Sequence, residues 1–145
     1  MIGGFAVIAH DYVRATEDVD LLIPADEAND ARLMTALSAL GAVWADGSAS
    51  LASRDLTGRA HSRLLTQRGL VDLVREGEPP LDFTTVAEGA QRAELGSGEF
   101  LIAGLKSLVS FKRLADRPRD RLDLEELRNR HGELPLERLP GLDED

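Results

Sequence analysis

The sequence predicts an α/β (α+β) domain: a small mixed β-sheet flanked by helices, with a C-terminal helical pair. Three observations carry this. Residues 16–24 contain Asp18-Val19-Asp20-Leu21, a polar–apolar alternation that belongs to a strand. A helical pattern over residues 26–40 follows, and then two more strand-like runs at 60–67 and 70–75. Finally, residues 101–115 and 119–131 carry helical patterns split by Asp116-Arg117-Pro118.

The elements follow from local chemistry in order. Gly3-Gly4 makes a turn with free choice of φ, and residues 5–10 form a short helix after it. Backbone N–H groups at such a glycine turn and helix start suit phosphate oxygens. Pro24 ends the first strand. Asp26 is the N-cap of a helix whose buried stripe is Ala31, Met34, Leu37 and Leu40, with Gly41 at C′. Residues 42–45 form a short strand in which Trp44 is a core or edge residue, and the small, polar stretch 46–53 is a loop.

The runs at 60–67 and 70–75 join at a turn at Gly69. Residues 76–81 are a Gly/Pro turn, residues 83–88 a helical turn, and 93–102 a hairpin interrupted by Gly96-Ser97-Gly98. The helix at 101–115 covers one side with Leu105, Leu108, Val109, Phe111 and Leu114, while Lys106, Ser110 and Arg113 share another face. Pro118 opens the last helix and Gly132 stops it, which gives a domain at 1–132 and a loosely held, acidic, Pro-containing tail at 133–145.

The 145 residues suit one domain with its own core. There is no cysteine, which excludes disulfides and Cys-ligated zinc or iron–sulfur centres and suits a cytoplasmic location. The short apolar run at 2–9 has neither the length of a membrane span nor the layout of a cleaved leader, so no membrane partner is expected. A net charge of −9 disfavours broad binding to nucleic acid. The charge is uneven: residues 1–53 carry eight acids and two bases, residues 106–131 eight Lys/Arg and five acids.

Asp18 and Asp20 alternate on one strand and so project from one face. Two like charges that close repel unless a cation lies between them, so the pair reads as a divalent-metal site for nucleotide chemistry. Asp72 interrupts the apolar run Leu70-Val71-Asp72-Leu73-Val74, where a carboxylate is expensive to bury without a partner, and it becomes the third member. Asp120 and Asp123 cap or pair within the last helix, and His10, His61 and His131 read as structural.

These residues together resemble the DNA polymerase β-like nucleotidyltransferase superfamily, in its small bacterial branch of toxin-like and minimal nucleotidyltransferases. The likeness rests on Gly3-Gly4-Phe5-Ala6, His10 and Arg14-Ala15-Thr16-Glu17-Asp18-Val19-Asp20-Leu21-Leu22. It extends to Val71-Asp72-Leu73, to Leu105-Lys106, and to Phe111-Lys112-Arg113 with Arg117-Pro118-Arg119-Asp120-Arg121-Leu122-Asp123-Leu124. The resemblance implies a nucleotidyltransferase fold and transfer of a nucleoside monophosphate from an NTP to an acceptor hydroxyl on an RNA end such as tRNA, a protein or a small molecule. Asp18, Asp20 and Asp72 would be catalytic and would hold Mg²⁺ (or Mn²⁺). Gly3, Gly4, Arg14, Thr16, Lys106, Lys112 and Arg113 would bind the nucleotide, with Lys106 as the main cationic clamp.

The resemblance further implies a toxin–antitoxin or resistance setting, with a toxin or antitoxin as partner. Two departures from the family pattern, Phe5 after the glycines and only Met1-Ile2 where a first strand stands, motivate a second class. That class is a non-catalytic binding module of the same fold, such as an antitoxin or regulatory subunit. A sheet edge left open at the missing strand suggests a homodimer.

Overall fold

The structure is a computed structural model, and it describes residues 1–47, 50–51, 56–96 and 98–144. Its elements are α1 (Gly3–Ala9), β1 (Asp18–Ile23), α2 (Glu27–Ala39), β2 (Val43–Trp44), β3 (His61–Thr66), β4 (Gly69–Arg75) and α3 (Phe83–Glu88). After these come β5 (Gln91–Leu95), β6 (Gly98–Ile102), α4 (Leu105–Ala115) and α5 (Pro118–His131). A four-stranded sheet runs β1-β4-β3-β2, with β1 parallel to β4 and the other pairs antiparallel, and β5-β6 is a separate antiparallel hairpin. The small mixed sheet, its helices and the C-terminal helical pair are thus present.

Met1-Ile2 lies where a connecting strand would run. Ile2 donates its backbone N–H to the Asp20 carbonyl at 2.9 Å, and the Ala103 N–H donates to the Met1 carbonyl at 2.9 Å. The two residues thereby link the edge of β1 to the end of β6. Of the edge expected to lie open beside β1, the chain itself meets one position, where Ile2 bridges to Asp20.

One face of the four-stranded sheet makes the main core. On β3, Ser62, Leu64 and Thr66 point inward while His61, Arg63 and Leu65 point out, the alternation a half-buried strand requires. Leu64, Leu73, Ile23 and Trp44 pack against Leu37, Leu33 and Met34 of α2. Asp26 caps α2 by accepting from the Ala28 N–H at 2.9 Å, and Gly41 takes the left-handed conformation after it (φ +65°). The stripe of α2 differs from the expected one, because Ala31 and Leu40 are exposed and Leu33 packs instead. The helix is turned so that buried Asp30 meets Arg75 at 2.8 and 3.1 Å. A buried charge needs that partner more than Leu40 needs burial.

Of the loop expected at 46–53, residues 48, 49, 52 and 53 lie outside the described residues; Ser50 bridges to Val43, and Leu51 is buried. The helix expected from residue 101 begins at Leu105, because Leu101 and Ile102 pair with Arg92 and Gln91 in the hairpin. Residues 133–144 are held rather than loose: Leu134 and Leu139 are buried, Lys106 pairs with Glu137 at 2.7 Å, and Arg113 binds both the Glu137 carbonyl and Asp143.

α4 and α5 are joined by a buried ion cluster. Lys112 Nζ lies 2.8 Å from Asp120 Oδ1 and 2.8 Å from Asp123 Oδ2, and both carboxylates are fully buried. Arg14, from the segment before β1, reaches Asp123 at 2.7 and 2.9 Å. Breaking such a cluster at one member leaves an uncompensated charge inside. We therefore expect Lys112→Met to lower stability by about 3–5 kcal/mol in urea denaturation, with circular dichroism showing the fold retained.

Candidate functional site

The parallel register of β1 and β4 sets Asp20 directly beside Asp72 and Asp18 beside Leu70. Neighbours in register share a face, and Asp18 lies two residues from Asp20, so the three carboxylates project from one side. Their proximity shows in the Asp20 carboxyl, whose pKa is raised first by burial and then by the charges of Asp72 and Asp18. Lys112 and Arg117 oppose that rise.

The two glycines, expected as a turn ahead of a helix at 5–10, are instead the first residues of α1, and this helix start closes onto the acids. Gly3 has φ +69°, and a Cβ there would stand 2.1 Å from Asp20 Oδ2. A Cβ on Gly4 would stand 2.5 Å from Thr16 Oγ1. No side chain fits at either position, so Gly3, Gly4, Thr16 and Asp20 form one tightly packed unit.

Cationic side chains cover the acids. Arg63 donates to Asp18 Oδ2 at 2.7 Å and lies 3.9 Å from Asp72 Oδ1, while His61 Nε2 is 3.1 Å from the same Asp72 oxygen. Arg63 is paired in register with Asp72 across β3–β4, which aims it at the acid face. At the helical pair, Arg117 donates from Nε to Asp120 Oδ2 at 2.7 Å, a bond that raises its own pKa. Burial pushes the Asp120 carboxyl up, and the hydrogen bonds from Arg117 and Lys112 outweigh that push to leave it below its ordinary value.

A cleft of about 570 Å³ opens over this face. Of the residues expected from the sequence, Gly4, Arg14, Thr16, Asp18, Asp20 and Lys112 line it. Gly3 abuts Asp20, and Asp72 lies buried beneath Arg63 and His61. Lys106 and Arg113 do not join them, because the C-terminal segment occupies both. Asp120 caps α5 as expected, accepting from the Arg117 backbone N–H at 3.1 Å, and also pairs with Arg117 and Lys112, whereas Asp123 pairs outside its helix with Lys112 and Arg14.

Sequence reasoning missed Arg63, Arg117 and Arg119, which line the cleft, and His61 beside Asp72. A signal existed for the first: His61 and Arg63 alternate on a strand next to Asp72, but the register that aims them is a tertiary fact. His10 and His131 are structural as expected, since His10 Nε2 bonds the Ala103 carbonyl and His131 Nε2 the His10 carbonyl. Among the described residues, no three His, Asp or Glu side chains are grouped as ligands of one ion as they stand.

Because the folded pKa of Asp20 is raised, its contribution to stability is full below 3.8 and is lost as pH rises through the folded value. The charged form of Asp20 thus weighs against folding. Asp20→Asn is expected to raise the melting temperature at pH 7, with the advantage lost once pH is well below 3.8, as scanning calorimetry at pH 7 and at about pH 3 would show.

No protein-family model and no curated protein matches this chain.

Proposed function

We propose that this chain is a metal-dependent nucleotidyltransferase that moves a nucleoside monophosphate from an NTP to an acceptor hydroxyl. The observation that carries the reading is the Asp20–Asp72 rung, with Asp18 two residues away and Gly3 packed against Asp20. The chemistry of the donors, carboxylate oxygens without sulfur, suits a hard divalent cation such as Mg²⁺ or Mn²⁺, and the three carboxylates would have to draw together to ligate one ion. Asp18, Asp20 and Asp72 would hold it, and when bound it supplies charge neutralisation at the reacting phosphate.

The protein's own groups would do the rest. Arg63, 47% exposed at its side chain, is free to swing from Asp18 towards a phosphate as the acids take up a cation. Arg117 and Arg119 line the same cleft and add positive charge for the triphosphate, and Gly4 offers backbone close to it. Arg14 and Lys112, fixed by Asp123 and Asp120, make a rigid cationic wall. Asp72 would accept the proton of the attacking hydroxyl. Such transfer asks the protein mainly for alignment and charge. The acceptor classes are an RNA end, a protein or a small molecule, in a toxin–antitoxin or resistance setting.

One observation favours a second reading, a non-catalytic module of the same architecture: Arg63 already pairs with Asp18, and Arg63 and His61 both lie against Asp72. Mg²⁺ with each NTP separates the two. Ligand binding to the folded state raises stability, by about 2.7 kcal/mol at a hundredfold excess over Kd. An enzyme should show that thermal shift, and millimolar NTP without a shift favours the module. For the enzyme, Asp18→Ala and Asp20→Ala should each abolish transfer of label from α-labelled NTP while the fold persists. Transfer surviving in either variant removes the assignment.

A further inference from the structure

A second cavity, of about 300 Å³, lies between the end of β4 and α4. Val74, Leu81, Phe111, Leu114 and Ala115 make its apolar lining. Its polar wall is Arg75, Lys112, Arg117 and Asp120, of which the last three also line the cleft. Val74 lies two residues beyond Asp72 and so on the same face of β4, and it pairs with Leu22 as Asp72 pairs with Asp20. Gly3, also in the lining, abuts the Asp20 carboxylate. Gly3 thus stands between the cavity and Asp20, and Lys112, Arg117 and Asp120 stand between the cavity and the cleft.

We propose that this cavity is the acceptor subsite and takes a small molecule whose hydroxyl is carried on an apolar, ring-sized body. The inference rests on the nucleotidyl-transfer reading and narrows its acceptor class. About 300 Å³ is the lower end of the range for small-molecule pockets, which are apolar with a few placed polar groups. Of the cavity's three cations, Arg75 is paired with Asp30, while Lys112 and Arg117 are shared with the cleft that takes the triphosphate, so none is left over for the phosphates of an RNA end. The net charge of −9 also repels a polyanion. With the body in the cavity, the hydroxyl oxygen bonds to the α-phosphorus while the bond from that phosphorus to the bridging oxygen breaks. Pyrophosphate leaves with the electron pair, and the hydroxyl proton passes to the Asp72 carboxylate.

The test uses the whole chain and 2-naphthylmethanol as probe. Ala115→Trp fills the cavity from the exposed end of α4, and Leu114→Ser removes apolar wall at a side chain that is 54% exposed. Ligand-observed NMR should show probe binding to the wild type and at least tenfold weaker binding to both variants. With Mg²⁺ and α-labelled NTPs, the probe should become labelled or should slow labelling of an acceptor in cell extract, and Ala115→Trp should lose that effect. The thermal shift with Mg²⁺ and NTP should be the same in all three proteins. No binding to the wild type, equal binding to the variants, or binding without effect on transfer overturns the assignment. A wild type without any NTP shift overturns nucleotidyl transfer and the acceptor role with it; probe binding that is lost in the variants then identifies a ligand cavity of another function.

Discussion

Asp20 and Asp72 stand on one rung of a parallel ladder, and the repulsion between them sets the terms for what surrounds them. The pKa of Asp20 is raised by burial and by both neighbouring acids. Arg63 and His61 reach over from the adjacent strand to Asp18 and Asp72, and Arg117 and Lys112 bring positive charge from the helical pair. A concentration of negative charge that destabilises the isolated fold is a common price of a binding site, since the same charge is what attracts a cation.

The ion cluster beneath the cleft ties together parts of the chain that are distant in sequence. Arg14 lies ahead of β1, Lys112 is on α4, and Asp120 and Asp123 are on α5, yet the four meet out of water. Ion pairs buried this way recover little net stability against apolar packing of the same volume, but they tolerate only one geometry. Here that geometry fixes the helical pair against the segment leading into β1. Lys106 and Arg113, on the same helix, serve a different purpose: they anchor the segment 133–144, with Leu134 and Leu139 supplying its apolar grip.

The close approach of the two glycines explains why a pattern of small and acidic residues carries information. Gly3 fits against Asp20 and Gly4 against Thr16 only because neither has a Cβ. The residue types are therefore visible as a spacing in the chain, whereas the contact behind the spacing is not. The start of α2 was legible for the same kind of local reason: Asp26 accepts the Ala28 N–H two residues on. The boundary between β6 and α4 was not legible, because Leu101 and Ile102 satisfy a helical apolar pattern and a hairpin equally well until Gln91 and Arg92 are set opposite them.

The sequence by itself determined the mixed class, the caps and turns, and the pairing of Asp18 with Asp20 on one face, all of which depend on residues within a few positions of one another. Tertiary structure alone decided that Asp72 shares a rung with Asp20, that Arg63 and His61 lie against Asp18 and Asp72, and that Lys112 and Arg117 bring positive charge to Asp20. It also decided that Lys106 belongs to the C-terminal segment and Lys112 to the cleft. Both lysines lie on α4, and no local rule separates them. What separates them is the packing of that helix, which buries Lys112 against two carboxylates of α5 and leaves Lys106 facing Glu137.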